Sequence, residues 1–170
     1  MHTSRGPGRQ PGLLILDTGP IRELVLFHAV SEYGFESLRR TLRFIKNPES
    51  YNKCSEFLAS FRQVTTTSAS VVVELYHWIR ETEPNGQSRL WRRVYEEFQN
   101  MGMHEEVVKL LDMDAGFVTR FGPVDGSILA LARRHASRNP LILTTDSPLY
   151  SECQKSGLRV SHIHEITLEH

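Results

Sequence analysis

Four short runs in this chain end on a carboxylate where apolar sequence gives way to a turn or a helix. They read Leu13-Leu14-Ile15-Leu16-Asp17-Thr18-Gly19, Val71-Val72-Val73-Glu74-Leu75, Phe121-Gly122-Pro123-Val124-Asp125-Gly126-Ser127 and Leu141-Ile142-Leu143-Thr144-Thr145-Asp146. A wholly apolar strand is one covered on both faces, as in a parallel sheet between helices. In such a sheet ligands bind beyond the carboxyl ends of the strands, near the point where strand order reverses. Asp17 and Asp146 directly follow apolar strands, so they emerge at that end. Glu74 and Asp125 fall in the first turns of helices that a parallel topology starts there, where helix N-termini favour negative charge. Carboxylates gathered in this way repel one another, and the simplest compensation is a hard divalent cation with oxygen ligands.

The rest of the chain alternates in the same manner. Thr18-Gly19-Pro20 opens a helix with Ile21, Leu24, Val25, His28 and Ala29 on its apolar side. Residues 32–46 and 52–62 read as two further helices divided by the breaker Asn47-Pro48. Residues 64–67 suit a short strand, Ser68 or Ser70 caps a helix over 70–81, and Pro84-Asn85-Gly86 is a turn. A helix over 87–100 follows, with Trp91, Tyr95 and Phe98 at a spacing that suits core or interface. Residues 107–111 read as a strand, and Asp112 or Asp114 caps a short helix reaching Arg120. The clearest amphipathic helix spans 124–136. A strand over 141–144, a helix over 148–155 and a strand over 159–163 close the chain, with His162 and His164 alternating onto one surface face.

The expected fold class is therefore α/β, a Rossmann-like parallel sheet of four to five strands flanked by helices, in a single domain over residues 13–165. Residues 1–12 read as a loose tail and 166–170 as a C-terminal tail, where Leu168-Glu169-His170 resembles the start of a vector-encoded tag.

Composition narrows the function classes. At 39% hydrophobic and 24% charged residues, a chain of 170 is neither disordered nor built for a membrane, and no apolar run approaches the roughly 20 residues of a span. No secretory signal precedes Leu13, so the expected compartment is cytoplasmic. Cys54 and Cys153 lack zinc-ligand spacing and are expected as free thiols. A formal net charge of zero argues against broad nucleic-acid binding through overall charge and leaves room for a local basic patch.

Taken singly, each acid has a simpler account. Asp17 and Asp146 serve as helix caps, and Asp125 complements a helix dipole. Glu74 is harder to place so, because it follows three valines in a helix whose neighbours read as buried, and a buried glutamate needs a partner or a metal. Together, in order and over nearly the whole folded chain, the four segments resemble the PIN-domain nucleases. Leu14-Ile15-Leu16-Asp17-Thr18-Gly19-Pro20 is similar to that family's opening strand and first acid. The stretch from Thr66 to Leu75 resembles the second-acid segment, Gly122 to Ala132 the third, and Leu143-Thr144-Thr145-Asp146 the fourth.

The resemblance implies Mg²⁺- or Mn²⁺-dependent hydrolysis of RNA phosphodiesters, with Asp17, Glu74, Asp125 and Asp146 as catalytic and metal-binding residues. Thr18 and Thr145 would then hold metal-bound water or orient a carboxylate, with ordinary capping as the alternative. Arg22, Arg133 with Arg134, and Arg92-Arg93 beside Trp91 are candidates for the substrate backbone, against the plainer account of solvated helix faces. The family also suggests a homodimer and, for a toxin of a type II toxin–antitoxin system, a small antitoxin protein as partner. The long interval between Asp17 and Glu74 departs from the compact pattern of toxin ribonucleases. Two other readings stand beside this one. The first is a non-catalytic RNA-binding or scaffold PIN domain. The second, an unrelated phosphoryl-transfer domain, lacks a Gly-rich phosphate loop in this chain.

Overall fold

In the computed structural model, which describes residues 12–61, 65–83 and 89–168, five strands form one sheet in the order β3-β2-β1-β4-β5, every neighbouring pair parallel. The strands are β1 (Leu14–Leu16), β2 (Thr65–Ser68), β3 (His104–Glu106), β4 (Leu141–Thr144) and β5 (Arg159–His162). The helices are α1 (Thr18–Tyr33), α2 (Pro48–Ala59), α3 (Ala69–Thr82), α4 (Arg89–Met101), α5 (Ala115–Phe121), α6 (Pro123–Arg134), α7 (Ser147–Lys155) and α8 (Ile163–Leu168). The fold is α/β with a parallel sheet flanked by helices, as the alternating pattern requires. β2 and β3 extend to one side of β1, whereas β4 and β5 extend to the other. The order therefore reverses between β1 and β4, and a crevice opens beyond their carboxyl ends.

The two central strands are the apolar ones. Leu14, Ile15 and Leu16 pair in register with Leu141, Ile142 and Leu143, and only Leu141 at the rim has more than a trace of exposure. β2 is different, being Thr65-Thr66-Thr67-Ser68 and wholly buried. A buried hydroxyl costs free energy unless bonded, and all four are. Thr65 donates to the Phe61 carbonyl, Thr66 to His104 at 2.9 Å, Thr67 to Leu16 at 2.7 Å, and Ser68 pairs with Ser127 of α6 at 2.6 Å. These bonds tie β2 to both neighbouring strands and to α6.

Several expectations need correction. The helix expected over 32–46 is not there. α1 runs on to Tyr33 and stops at Gly34, whose left-handed backbone (φ 70°) no other residue adopts so cheaply. A short 3₁₀ segment, Glu36–Thr41, follows, and beyond it the backbone N–H groups of Arg43, Phe44 and Ile45 donate to the buried Glu23 carboxylate. Asn47-Pro48 starts a helix rather than merely dividing two: Asn47 caps α2 reciprocally with Ser50. The strand expected over 107–111 lies instead at His104–Glu106, paired with Thr66, Thr67 and Ser68. Past that short partner the chain leaves the sheet, and Val107, Leu110 and Leu111 are exposed, Leu111 at 95%. β5 ends at His162, and the following residues form α8, which the sequence reading did not foresee and which packs on α2.

Other elements fall within a residue or two of expectation, with Ser68 capping α3 and Asp114 capping α5. Cys54 and Cys153 are free and buried, their thiols pushed up to about 12 chiefly by burial. The expected turn at Pro84-Asn85-Gly86, the end of the 52–62 helix, Val64 and most of both tails lie outside the described residues.

Candidate active site

Asp17 stands one residue past β1. Its backbone N–H donates to the Leu143 carbonyl, so the β1–β4 pairing continues to the acid itself. Its side chain caps α1, one oxygen accepting the Thr18 N–H at 2.6 Å and the other the Thr144 hydroxyl at 2.7 Å. At 5% exposure, burial is the main force raising the carboxyl to about 6. The two hydrogen bonds oppose that rise, and the charges of Glu74 and Asp146 add to it.

Asp146 stands two residues past β4 and caps α7 by accepting the Leu149 N–H at 2.7 Å. Its own N–H donates to the Thr144 hydroxyl at 2.9 Å. Asp125 is the third residue of α6 and is half-buried. Among the described residues nothing donates to its carboxylate, which is raised to about 7 by burial first and then by Asp17, Asp146 and Glu74. Glu74 enters from α3 and accepts a short hydrogen bond from the Thr18 hydroxyl.

All four acids thus act on one another at the carboxyl edge of the sheet. Each plain account also holds for its own residue, since Asp17 and Asp146 do cap helices. Capping fixes one carboxylate oxygen of each and leaves the shared charge to be accounted for.

One expectation about these residues fails. Glu74 is exposed, not buried, because α3 turns Val71, Leu75 and Ile79 inward and Val73 (55% exposed) outward with Glu74. Among the described residues, no three His, Cys, Asp or Glu side chains group tightly enough to hold a metal ion. The acids share a field without already clasping a common point.

The expected helpers divide. Thr18 orients an acid, Glu74. Thr145 is a packing residue: a Cβ at Gly19 would lie 1.7 Å from its hydroxyl, so only glycine lets the start of α1 pass beneath it. The neighbouring Thr144, which sequence reading passed over, is the hydroxyl that serves both Asp17 and Asp146. A threonine ending a buried strand was its available signal.

The basic candidates divide as well. Arg22 lies near the site, over the Trp78 ring at 5.0 Å and at a cavity that Thr145 also lines. Arg133 is exposed near the other end of α6, about 12 Å along the axis from Asp125. Arg134 pairs with Glu106 and Asp112, and Arg93 with Glu96 and Glu97, so both serve local structure. Trp91 and Phe98 pack against the core, whereas Tyr95 is exposed. His162 and His164 do not share a strand face; both set their ring edges against Phe44.

A hard cation suits this donor set. Four carboxylates repel one another, two are held near neutrality, and Cys153, within reach of the Asp125 and Asp17 fields, stays a neutral thiol. No protein-family model matches this chain, and no curated protein matches it.

Proposed function

We propose that this chain is a PIN-like endoribonuclease that hydrolyses RNA phosphodiester bonds with Mg²⁺ or Mn²⁺, and that Asp17, Glu74, Asp125 and Asp146 would hold the ion. The single observation that carries the reading is the mutual electrostatic action of those four acids at the switch point of a parallel sheet. A bound divalent ion supplies charge neutralisation at a scissile phosphate and a more acidic water.

The chain's own part is positioning. Thr144 keeps one Asp17 oxygen turned toward β4, Thr18 draws Glu74 across from α3, and the α7 cap fixes Asp146. Asp125 is held by its helix alone and is the acid freest to turn toward a ligand or a proton. On this reading the site is cytoplasmic. Among the described residues no helix is long and apolar enough to cross a membrane.

The test is calorimetric titration of Mn²⁺ into the wild type and Asp125→Asn, paired with cleavage of a mixed-sequence RNA. Asp125→Asn is chosen because it removes charge without removing a hydrogen bond seen in the structure. Saturable binding and cleavage in the wild type, both lost in a folded variant, are expected. A folded Asp125→Asn protein that cleaves at the wild-type rate would sink the assignment. Growth arrest on induction, relieved by a protein encoded alongside, would mark it as a toxin.

A non-catalytic RNA-binding module is the second reading, favoured by the absence of a ready three-ligand group among the described residues. It is the one to hold if RNA binds and no divalent ion promotes cleavage.

A further inference from the structure

We infer that the cavity beside the acids is a subsite for one nucleotide of an unpaired strand, its phosphate on arginines and its base against Phe44. This rests on the nuclease reading above and names the part of the substrate that the chain grips. The cavity has a volume of about 410 Å³ and is walled by Arg22, Arg40, Arg43 and Phe44, with Gly19 and Thr145 at its edge. Thr145 precedes Asp146 and Gly19 follows Asp17 by two residues, so an occupant lies next to the acids along the chain.

Charge, shape and rigidity agree on the occupant. Among the described residues none of these three arginines is in an ion pair, whereas Arg39, Arg93 and Arg134 all are. Three uncommitted guanidinium groups around one concavity suit a phosphate, whose oxygens they match in geometry as well as charge. The acid in the lining, Glu23, does not neutralise them. Its carboxylate is occupied by the N–H groups of Arg43, Phe44 and Ile45 at 3.1, 3.0 and 3.0 Å. That clamp fixes the stretch that presents Arg43 and Phe44.

Phe44, backed by the edges of His162 and His164 at 5.1 and 5.9 Å, gives an aromatic surface on which any base can stack. The volume is at the small end of ligand-holding clefts, roughly 300–1,000 Å³, which admits a nucleotide and excludes a duplex.

The test measures binding of a short fluorescein-labelled single-stranded RNA by anisotropy, in EDTA and across a range of KCl. A single-stranded DNA and an RNA duplex are run beside it. Arg40→Ala/Arg43→Ala is expected to weaken binding by about tenfold or more and to flatten the salt dependence by about 1.4, near 0.7 for each lost phosphate contact. Phe44→Leu, which keeps the apolar volume, is expected to weaken binding with the salt slope unchanged. Equal affinity for the DNA strand would also support the subsite, as one that reads phosphate and base rather than the 2′-hydroxyl.

The inference is overturned by a folded double variant with wild-type affinity and slope, by tighter binding of the duplex, or by no binding to the wild type. Binding that follows the prediction while no divalent ion gives cleavage removes the nuclease reading and leaves the subsite. Cleavage with unchanged binding in the variants does the reverse.

Discussion

The hydroxyl of Thr144 donates to the carboxylate of Asp17 at 2.7 Å while it accepts the backbone N–H of Asp146 at 2.9 Å. One buried side chain on β4 therefore joins the acid that follows β1 to the acid that follows its own strand. Thr144→Val keeps the shape and removes both bonds, leaving a carboxylate oxygen and an N–H without partners. We expect a loss of about 1–3 kcal/mol in chemical denaturation. The bond to Thr144 lowers the Asp17 pKa, so its loss raises that pKa, and Mn²⁺ binding should begin at higher pH than in the wild type. Thr144→Ser retains the hydroxyl and should restore both. An unshifted binding profile in Thr144→Val would remove Thr144 from the site.

The metal-free protein carries a pH signature of its acids. Asp17 and Asp125 have folded values of about 6 and 7 against an ordinary 3.8, so the folded chain keeps protons that the unfolded chain releases. This favours the folded state fully below about pH 4, and the advantage is lost as pH rises through 6 and 7. Asp125→Asn removes one source of the effect. In EDTA the variant should match the wild type near pH 4 and exceed it near pH 7.5 by about 1–2 kcal/mol, a figure reduced for solvent screening at a half-buried position. Thermal unfolding of both proteins across that range decides it, and a difference that does not grow with pH counts against the shared field.

Gly19 is the packing counterpart of the acids. A methyl group there would overlap the Thr145 hydroxyl at 1.7 Å and its Cβ at 2.8 Å. Gly19→Ala should therefore cost about 1–3 kcal/mol by overpacking. In a Thr145→Gly background the same change should cost clearly less, since the obstructing side chain is gone, and a double-mutant cycle reads that coupling. Additive losses would mean that Gly19 matters for some other reason.

What could be read in the sequence follows from how far each signal reaches along the chain. Asp17 and Asp146 were legible because β1 and β4 are continuous apolar runs, and an acid at the end of such a run has only the sheet edge to occupy. The exposure of Glu74 was not, because three consecutive valines conceal which face of α3 meets the core until the packing is known. Thr144 and Thr145 are adjacent and chemically equal, and only strand parity against β1 separates the buried hydroxyl from the one over Gly19. β2 reads as a polar stretch because its burial depends on carbonyls contributed by other parts of the fold. Arg40, Arg43 and Phe44 were hidden for a related reason: a helical pattern was assigned to a stretch whose backbone is held by Glu23, some 20 residues earlier.

That clamp supplies the last prediction. Glu23 is buried, and its two oxygens accept three backbone N–H groups from Arg43, Phe44 and Ile45. Glu23→Ala leaves those donors without acceptors in a segment that contributes the buried side chain of Ile45. We expect a loss of about 3 kcal/mol, within the range for stranded polar groups. Glu23→Gln offers one acceptor oxygen in place of two and should fall between wild type and Glu23→Ala. Removing a negative charge beside Arg22, Arg40 and Arg43 would by itself strengthen binding of a single-stranded oligonucleotide. If the clamp's role is to hold Arg43 and Phe44 in place, the same variant instead weakens binding and raises amide exchange at residues 43–45. Exchange measured by mass spectrometry on the folded variant separates the two. Tighter binding with unchanged exchange would reduce Glu23 to a charge near the cavity and remove its part in shaping it.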